Sequence, residues 1–261
     1  MVDVSAGSNL IAPGEFRVGA VFSRTFAILG RNFVPILALS AIAALPYLFI
    51  YLNQKTGAAV NAGGPAQQAA ALRRAFSSTG PVFFMGFVLR LLSQAVIVNG
   101  AFQDMRGRKF QIGDSLRTGF SRFLPILGLV ICEGFGLVLG LVALVIPFFI
   151  LMTVWAAALP ACVVEKLGPF ESLGRSAALT KGHRWKLFGI LILLGLANLV
   201  GAGIVTGILL ALGGKIGSAV GQYAWQAVYI GVYSVVTVVI YHDLRVANEG
   251  VDTETIAAVF D

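Results

Sequence analysis

Two hydrophobic patterns alternate along this chain: short stretches with helical spacing, and long unbroken apolar runs. The first short stretch reads Phe16-Arg17-Val18-Gly19 and continues through Phe22, Phe26 and Leu29 into a run that opens Phe33-Val34-Pro35-Ile36-Leu37. A second reads Phe110-Gln111-Ile112-Gly113, continues through Leu116 and Phe120, and enters a run at Phe123-Leu124-Pro125-Ile126-Leu127. A looser third runs through Phe170, Leu173, Gly174 and Ala177 and meets Trp185-Lys186-Leu187-Phe188. At about 100° per residue, Val18, Phe22, Phe26, Leu29 and Phe33 share one helix face. Arg17, Arg24 and Arg31 recur every seventh residue on the opposite face. Ile112, Leu116, Phe120 and Phe123 repeat the same apolar spacing. An apolar face set against a cationic one suits a helix lying in a membrane interface. The pattern therefore predicts three interfacial helices, with Arg17, Arg24, Arg31, Arg117 and Arg122 as the candidates for facing lipid.

The long runs predict six membrane spans, over residues 33–53, 81–102, 123–146, 148–165, 185–212 and 216–241. A helix needs about 20 apolar residues to cross the hydrocarbon core. Pro46 and Pro160 fall inside spans and predict kinks. Pro147 and Gly213-Gly214-Lys215 predict tight turns. The polar segment 54–80 reads as a loop, with a short helix over 66–75 as the alternative because Ala, Gln, Leu and Arg are good helix formers. The first fifteen residues lack an apolar core, so the first span is expected to act as the insertion signal. Asp252 is a candidate N-cap for a last helix over 253–259. The expected fold is all-α: a polytopic bundle of six transmembrane helices with three cytoplasmic-side amphipathic helices, arranged as a threefold pseudo-repeat. The repeat units are 16–104, 110–166 and 170–245, within a single membrane domain, 1–261, with tails 1–15 and 246–261.

Composition sharpens this reading. Of 261 residues, 57% are hydrophobic and 12% charged, about half the charged share of a soluble domain. That leaves too little polar surface to cover a globule in water. The net charge of +7 would suggest nucleic acid in a soluble protein. In this chain the basic residues flank spans instead, and no nucleic-acid partner is expected. Most of them, including Arg106, Arg108, Lys109, Lys166, Arg175, Lys181, Arg184, Lys186 and Arg245, fall on one side of the predicted spans. The other side holds Lys55, Arg73, Arg74 and Lys215. The rich side is expected to be cytoplasmic, with both termini inside. Cys132 and Cys162 each stand alone in an apolar run and read as reduced, space-filling thiols.

Candidate chemistry is sparse. Ionisable residues inside a membrane are costly and are functional candidates for that reason. Arg90 and Glu133 qualify: counting about 1.5 Å per residue, each lies roughly 15 Å deep, on consecutive antiparallel spans. They are expected to pair or to share a hydrogen-bond network. Gln94, Asn99 and Asn198 read as bridges between helices. Gln222, Tyr223, Trp225 and Gln226 read first as an interfacial belt and second as the mouth of a cavity. The glycine pairs 136/140, 203/207 and 217/221 predict close helix packing. Asp104, Glu165 and Asp243 each close a two-span unit and read as structural turn charges. No H-E-x-x-H, G-x-S-x-G or P-loop pattern occurs. His242-Asp243 has no nucleophile beside it in sequence. No catalytic residue, cofactor or metal is expected.

The stretches Ser23-Arg24-Thr25-Phe26-Ala27-Ile28-Leu29-Gly30-Arg31-Asn32-Phe33, Arg175-Ser176-Ala177-Ala178-Leu179-Thr180-Lys181-Gly182-His183-Arg184-Trp185 and Tyr241-His242-Asp243-Leu244-Arg245 carry a family likeness. In them the chain resembles the bacterial integral-membrane family named after the membrane domain of glycerophosphoryl diester phosphodiesterases. The resemblance implies six helices in a bacterial inner membrane. It does not imply phosphodiesterase activity, because the catalytic barrel of those enzymes is a separate domain that these residues do not include. The expected function is a non-catalytic membrane scaffold or accessory protein that meets lipid, partner membrane proteins or further copies of itself through its basic amphipathic helices. The alternatives are a solute or lipid transporter built on the intramembrane polar residues and, least favoured, a lipid-active enzyme.

Overall fold

The computed structural model describes residues 16–53, 64–143 and 145–250. The described residues are helical with no strand. The helices are α1 (Val18–Arg31), α2 (Phe33–Asn53), α3 (Pro65–Met105), α4 (Ile112–Ser121), α5 (Phe123–Ala143), α6 (Val145–Val154), α7 (Ala158–Val164), α8 (Pro169–Leu179) and α9 (Arg184–Glu249). Long apolar helices and three short amphipathic ones alternate as the sequence predicts. The expected tail over 1–15 and the expected last helix over 253–259 lie outside the described residues.

The last helix is two helices. Gly214 adopts φ 57° and ψ −145° within α9, a left-handed conformation that glycine alone adopts readily. The chain reverses there. Gln222 donates to the Thr206 hydroxyl, Trp225 Nε1 donates to Asn198 Oδ1 at 3.0 Å, and the Trp225 ring lies over Gly201. These contacts pair residues of nearly constant index sum, as two antiparallel limbs require. The turn predicted at 213–215 is thus present. The outer-belt reading of Gln222 and Trp225 is corrected: both clasp the two limbs together.

Two other expectations change. The segment 65–80 is the beginning of α3, which runs unbroken through Pro81, and is no loop. Its Ala-rich composition decides the matter, and at 41 residues the helix is about 60 Å long, well beyond the bilayer core. The reversal between α5 and α6 also comes earlier than Pro147. That proline occupies the third position of α6, where its missing N–H has no helical partner to lose. Gly140 and Gly136 let α6 and Trp155 approach α5 closely, since a Cβ on Gly140 would stand 3.1 Å from the Phe148 nitrogen. Gly217 and Gly221 do the same between the limbs of α9, whereas Gly203 and Gly207 face open space.

Of the two predicted kinks, one is a full break. α2 continues through Pro46, but the helix containing Pro160 is interrupted at residues 155–157. Proline lacks the N–H that would bond residue 156, and its ring crowds that carbonyl. The freed groups find partners on α8. Ser176 Oγ donates to the Val154 carbonyl at 2.7 Å and accepts from the Ala157 N–H at 3.2 Å, and Thr180 Oγ1 reaches the same carbonyl at 3.4 Å. Both side chains are wholly buried. A broken helix persists in a bundle when neighbouring hydroxyls take up its backbone groups in this way.

All three amphipathic helices attach at one end of the bundle. Arg31 (2.6 Å) and Asn32 (3.0 Å) bind Asp104 at the end of α3. Arg175 binds Glu165 through Nε at 2.9 Å, and Tyr241 donates to the same carboxylate at 2.6 Å. Arg24 pairs with Asp243, whose side chain is fully buried. Arg122 donates to the Leu167 carbonyl and, at 3.2 Å, to that of Cys162. Each of the three unit-closing carboxylates is bound by an arginine of an amphipathic helix, but the turn reading is corrected for Asp104 and Asp243, which lie within α3 and α9. Helices α2 and α9 pack through small residues, Ser40, Ala43 and Ala44 against Ala227 and Gly231, which brings their backbones close.

Candidate functional site

Between α2, α3, α5, α6 and the second limb of α9 lies a cavity of about 570 Å³. Arg90 reaches it from α3 and Glu133 from α5, with Gln94 one helical turn beyond Arg90. The structure thus brings three of the four intramembrane candidates together. The fourth, Asn198, is separate, because its amide accepts the Trp225 indole N–H in the α9 hairpin. Gln94 is no bridge between helices either, since it makes no hydrogen bond among the described residues. Asn99 does bridge, to Ser115 of α4 at 3.2 Å.

No ion pair joins Arg90 to Glu133. The Arg90 guanidinium has one long hydrogen bond, 3.5 Å to the Tyr47 hydroxyl, and Glu133 has none among the described residues. Both remain half-buried against the cavity. Sharing a depth on consecutive helices predicts proximity, but not contact: the two helices approach from different sides of the same space. Tyr47, Trp155, Tyr233, Ser234 and Thr237 complete the polar lining. Sequence reasoning missed these five. The available signal was proline: Pro46 precedes Tyr47, and Pro160 opens the backbone at Trp155 and Ala156. Both prolines line the cavity.

Cationic candidates divide into two groups. Arg24, Arg31 and Arg122 serve the tethers just described, although Arg31 stays 59% exposed. An arginine beside a buried carboxylate gains more there than at a hydrated surface, where ion pairs contribute little. The carboxylate of Asp104 accordingly raises the Arg31 pKa. Arg17 and Arg117 are exposed, as are Arg106, Arg108, Lys109, Lys181 and Arg184 around them.

The amphipathic helices present a mixed face inward. Thr25 on α1, Ser115 and Gly119 on α4, and Ser172 and Ser176 on α8 are buried beside the apolar Val21 and Ile28 of α1 and Leu179 of α8. Large apolar side chains face out: Phe26 is 65% exposed, Phe120 65% and Phe170 77%, and Trp185 at the start of α9 is 86% exposed. A helix on a soluble bundle would bury these groups instead.

Apolar helices exposed along their length, joined by hairpins and sealed by small residues, define a polytopic helical membrane protein. Within it, residues 126–243 match the family model for the membrane domain of glycerophosphoryl diester phosphodiesterase. The family resemblance read from the sequence is therefore shown over that stretch. It takes in Glu133, the α8 segment with Ser176, and the carboxylate Asp243, and it leaves out Arg90. No curated protein and no solved structure matches the chain.

Proposed function

We propose that this chain is a non-catalytic protein of a bacterial inner membrane, with both termini cytoplasmic, that acts as a scaffold or accessory through its three interfacial helices. One observation carries the reading: α1, α4 and α8 leave Phe26, Phe120 and Phe170 exposed on their outer faces, at the end where the exposed arginines and lysines collect. Phenylalanines at acyl depth below a cationic rim are how a surface helix engages anionic lipid. Its partners are membrane lipids first, then membrane proteins or further copies of this chain. The mode of contact differs from a purely basic one, because the apolar side chains lead and the tethered arginines hold the helices in place. His242 contacts Asp243, which Arg24 also holds, so a structural role is favoured for that pair over a catalytic one.

Spin labels at positions 26, 120 and 170 in liposomes test the proposal. Accessibility to oxygen above that to a water-soluble relaxant is expected at all three, and the reverse result would refute it. Neutralising Arg108, Lys109, Arg117, Lys181 and Arg184 together is expected to abolish enrichment of anionic lipid around the protein. A second reading, transport of a small solute or lipid, draws support from the polar cavity. It predicts flux in proteoliposomes that Glu133→Gln abolishes.

A further inference from the structure

We infer that the cavity between Arg90 and Glu133 binds a zwitterionic amphiphile, its anionic group at Arg90 and its cationic group at Glu133. The inference does not depend on the interfacial helices. It starts from an electrostatic mismatch. Two ionisable groups of opposite sign face the same space inside an apolar bundle and do not neutralise each other. Arg90 has only the long contact with Tyr47, Glu133 has no hydrogen bond among the described residues, and Gln94, 8% exposed, has none either. Ionisable groups at this depth ordinarily pair or serve a function. A simple anion would satisfy Arg90 and leave Glu133 facing a like charge. A simple cation would do the opposite. One molecule that carries both charges a few bonds apart satisfies both side chains together.

The rest of the lining suits such a ligand. Tyr47, Tyr233 and Trp155 present aromatic walls, which favour an ammonium group. Gln94 offers both a donor and an acceptor. Phe83 and Phe87 line the cavity and are also 56% and 37% exposed on the outer surface of α3. The cavity therefore borders the lipid-facing surface, where an acyl chain can leave. Its volume of about 570 Å³ is that of a ligand pocket and accommodates a headgroup with the beginning of a chain, not a whole phospholipid.

Binding to the full chain, purified in a non-ionic maltoside detergent, tests this by native mass spectrometry and by ligand-dependent shift in Tm. The probes are lysophosphatidylethanolamine (zwitterion), lysophosphatidylglycerol (anion of the same chain length) and O-phosphoethanolamine (soluble headgroup). The wild-type protein is expected to prefer the zwitterionic lysolipid at least tenfold over the anionic one. Arg90→Gln is expected to lose both. Glu133→Gln is expected to weaken the zwitterion and to strengthen the anion, which reverses the preference. A reversal is not a consequence of poor folding, so it keeps the inference testable if Arg90→Gln is unstable. Binding of O-phosphoethanolamine with no added affinity for the lysolipid would overturn the assignment to an amphiphile, and binding of the lysolipid in preference to it would support a membrane source. Absence of binding by all three probes, or an anion-to-zwitterion ratio unchanged by Glu133→Gln, would overturn it.

Discussion

Ser176 holds the break in the α6–α7 segment, and the structure lets the cost of removing it be worked out. In a continuous helix the Val154 carbonyl would accept from the residue 158 N–H, and the Ala157 N–H would donate to Thr153. Here the Ala158 N–H goes to Trp155 at 3.0 Å, and both orphaned groups turn to the Ser176 hydroxyl. Ser176→Ala leaves the buried Ala157 N–H without a partner, at about 1–3 kcal/mol. Thr180 still reaches the Val154 carbonyl at 3.4 Å, so the second loss is partial. A total near 2 kcal/mol corresponds to roughly a 30-fold shift in the unfolding equilibrium. Pro160→Ala supplies the missing N–H at position 160 and permits a continuous helix, in which Val154 and Ala157 pair within the main chain. The serine is then dispensable. Unfolding in mixed SDS–maltoside micelles, followed by circular dichroism, should show the loss for Ser176→Ala alone and a loss below about 0.5 kcal/mol in the Pro160→Ala background. Equal losses in both backgrounds, the additive result expected of independent sites, would refute the account.

Three further outcomes follow from the packing and the charges. Gly201→Ala places a methyl where the Trp225 ring lies and should destabilise by about 1–3 kcal/mol, whereas Gly203→Ala, which meets open space, should be neutral or stabilising by about 0.5 kcal/mol; thermal unfolding of the two variants separates them. Arg24→Ala strands the buried Asp243, whose Oδ2 already lacks a partner, and should cost about 3 kcal/mol, with Arg24→Ala/Asp243→Asn recovering most of it in the same assay. Burial pushes the Glu249 carboxyl up, but hydrogen bonds from Arg175 and Arg245 outweigh it and hold the pKa below the usual 4.5. A depressed folded pKa adds stability that is complete above the unfolded value and is lost as pH falls through the folded one, so Tm should drop below pH 4.5 in the wild type and less steeply in Glu249→Gln.

How much of this was legible in the sequence depends on the range of the interaction concerned. Periodicity and run length are local properties, and they determined the helix class, the alternation of amphipathic and apolar segments, the reversal at Gly214 and the break at Pro160. They also selected Arg90, Glu133 and Gln94, because a polar residue in an apolar run stands out without any partner being known. Direction was not legible. The face of α1 that holds Phe26 turns outward, and the face with Val21, Thr25 and Ile28 turns inward, a choice set by what the bundle offers and by lipid outside it. Partners were not legible either. Arg24 and Asp243 are separated by 219 positions, and the Trp225–Asn198 clasp depends on how two limbs pack. Whether Arg90 meets Glu133 or shares a cavity with it is a matter of a few ångströms between α3 and α5. Spacing along one helix carries no information about the distance to the next, so that decision belonged to the tertiary structure.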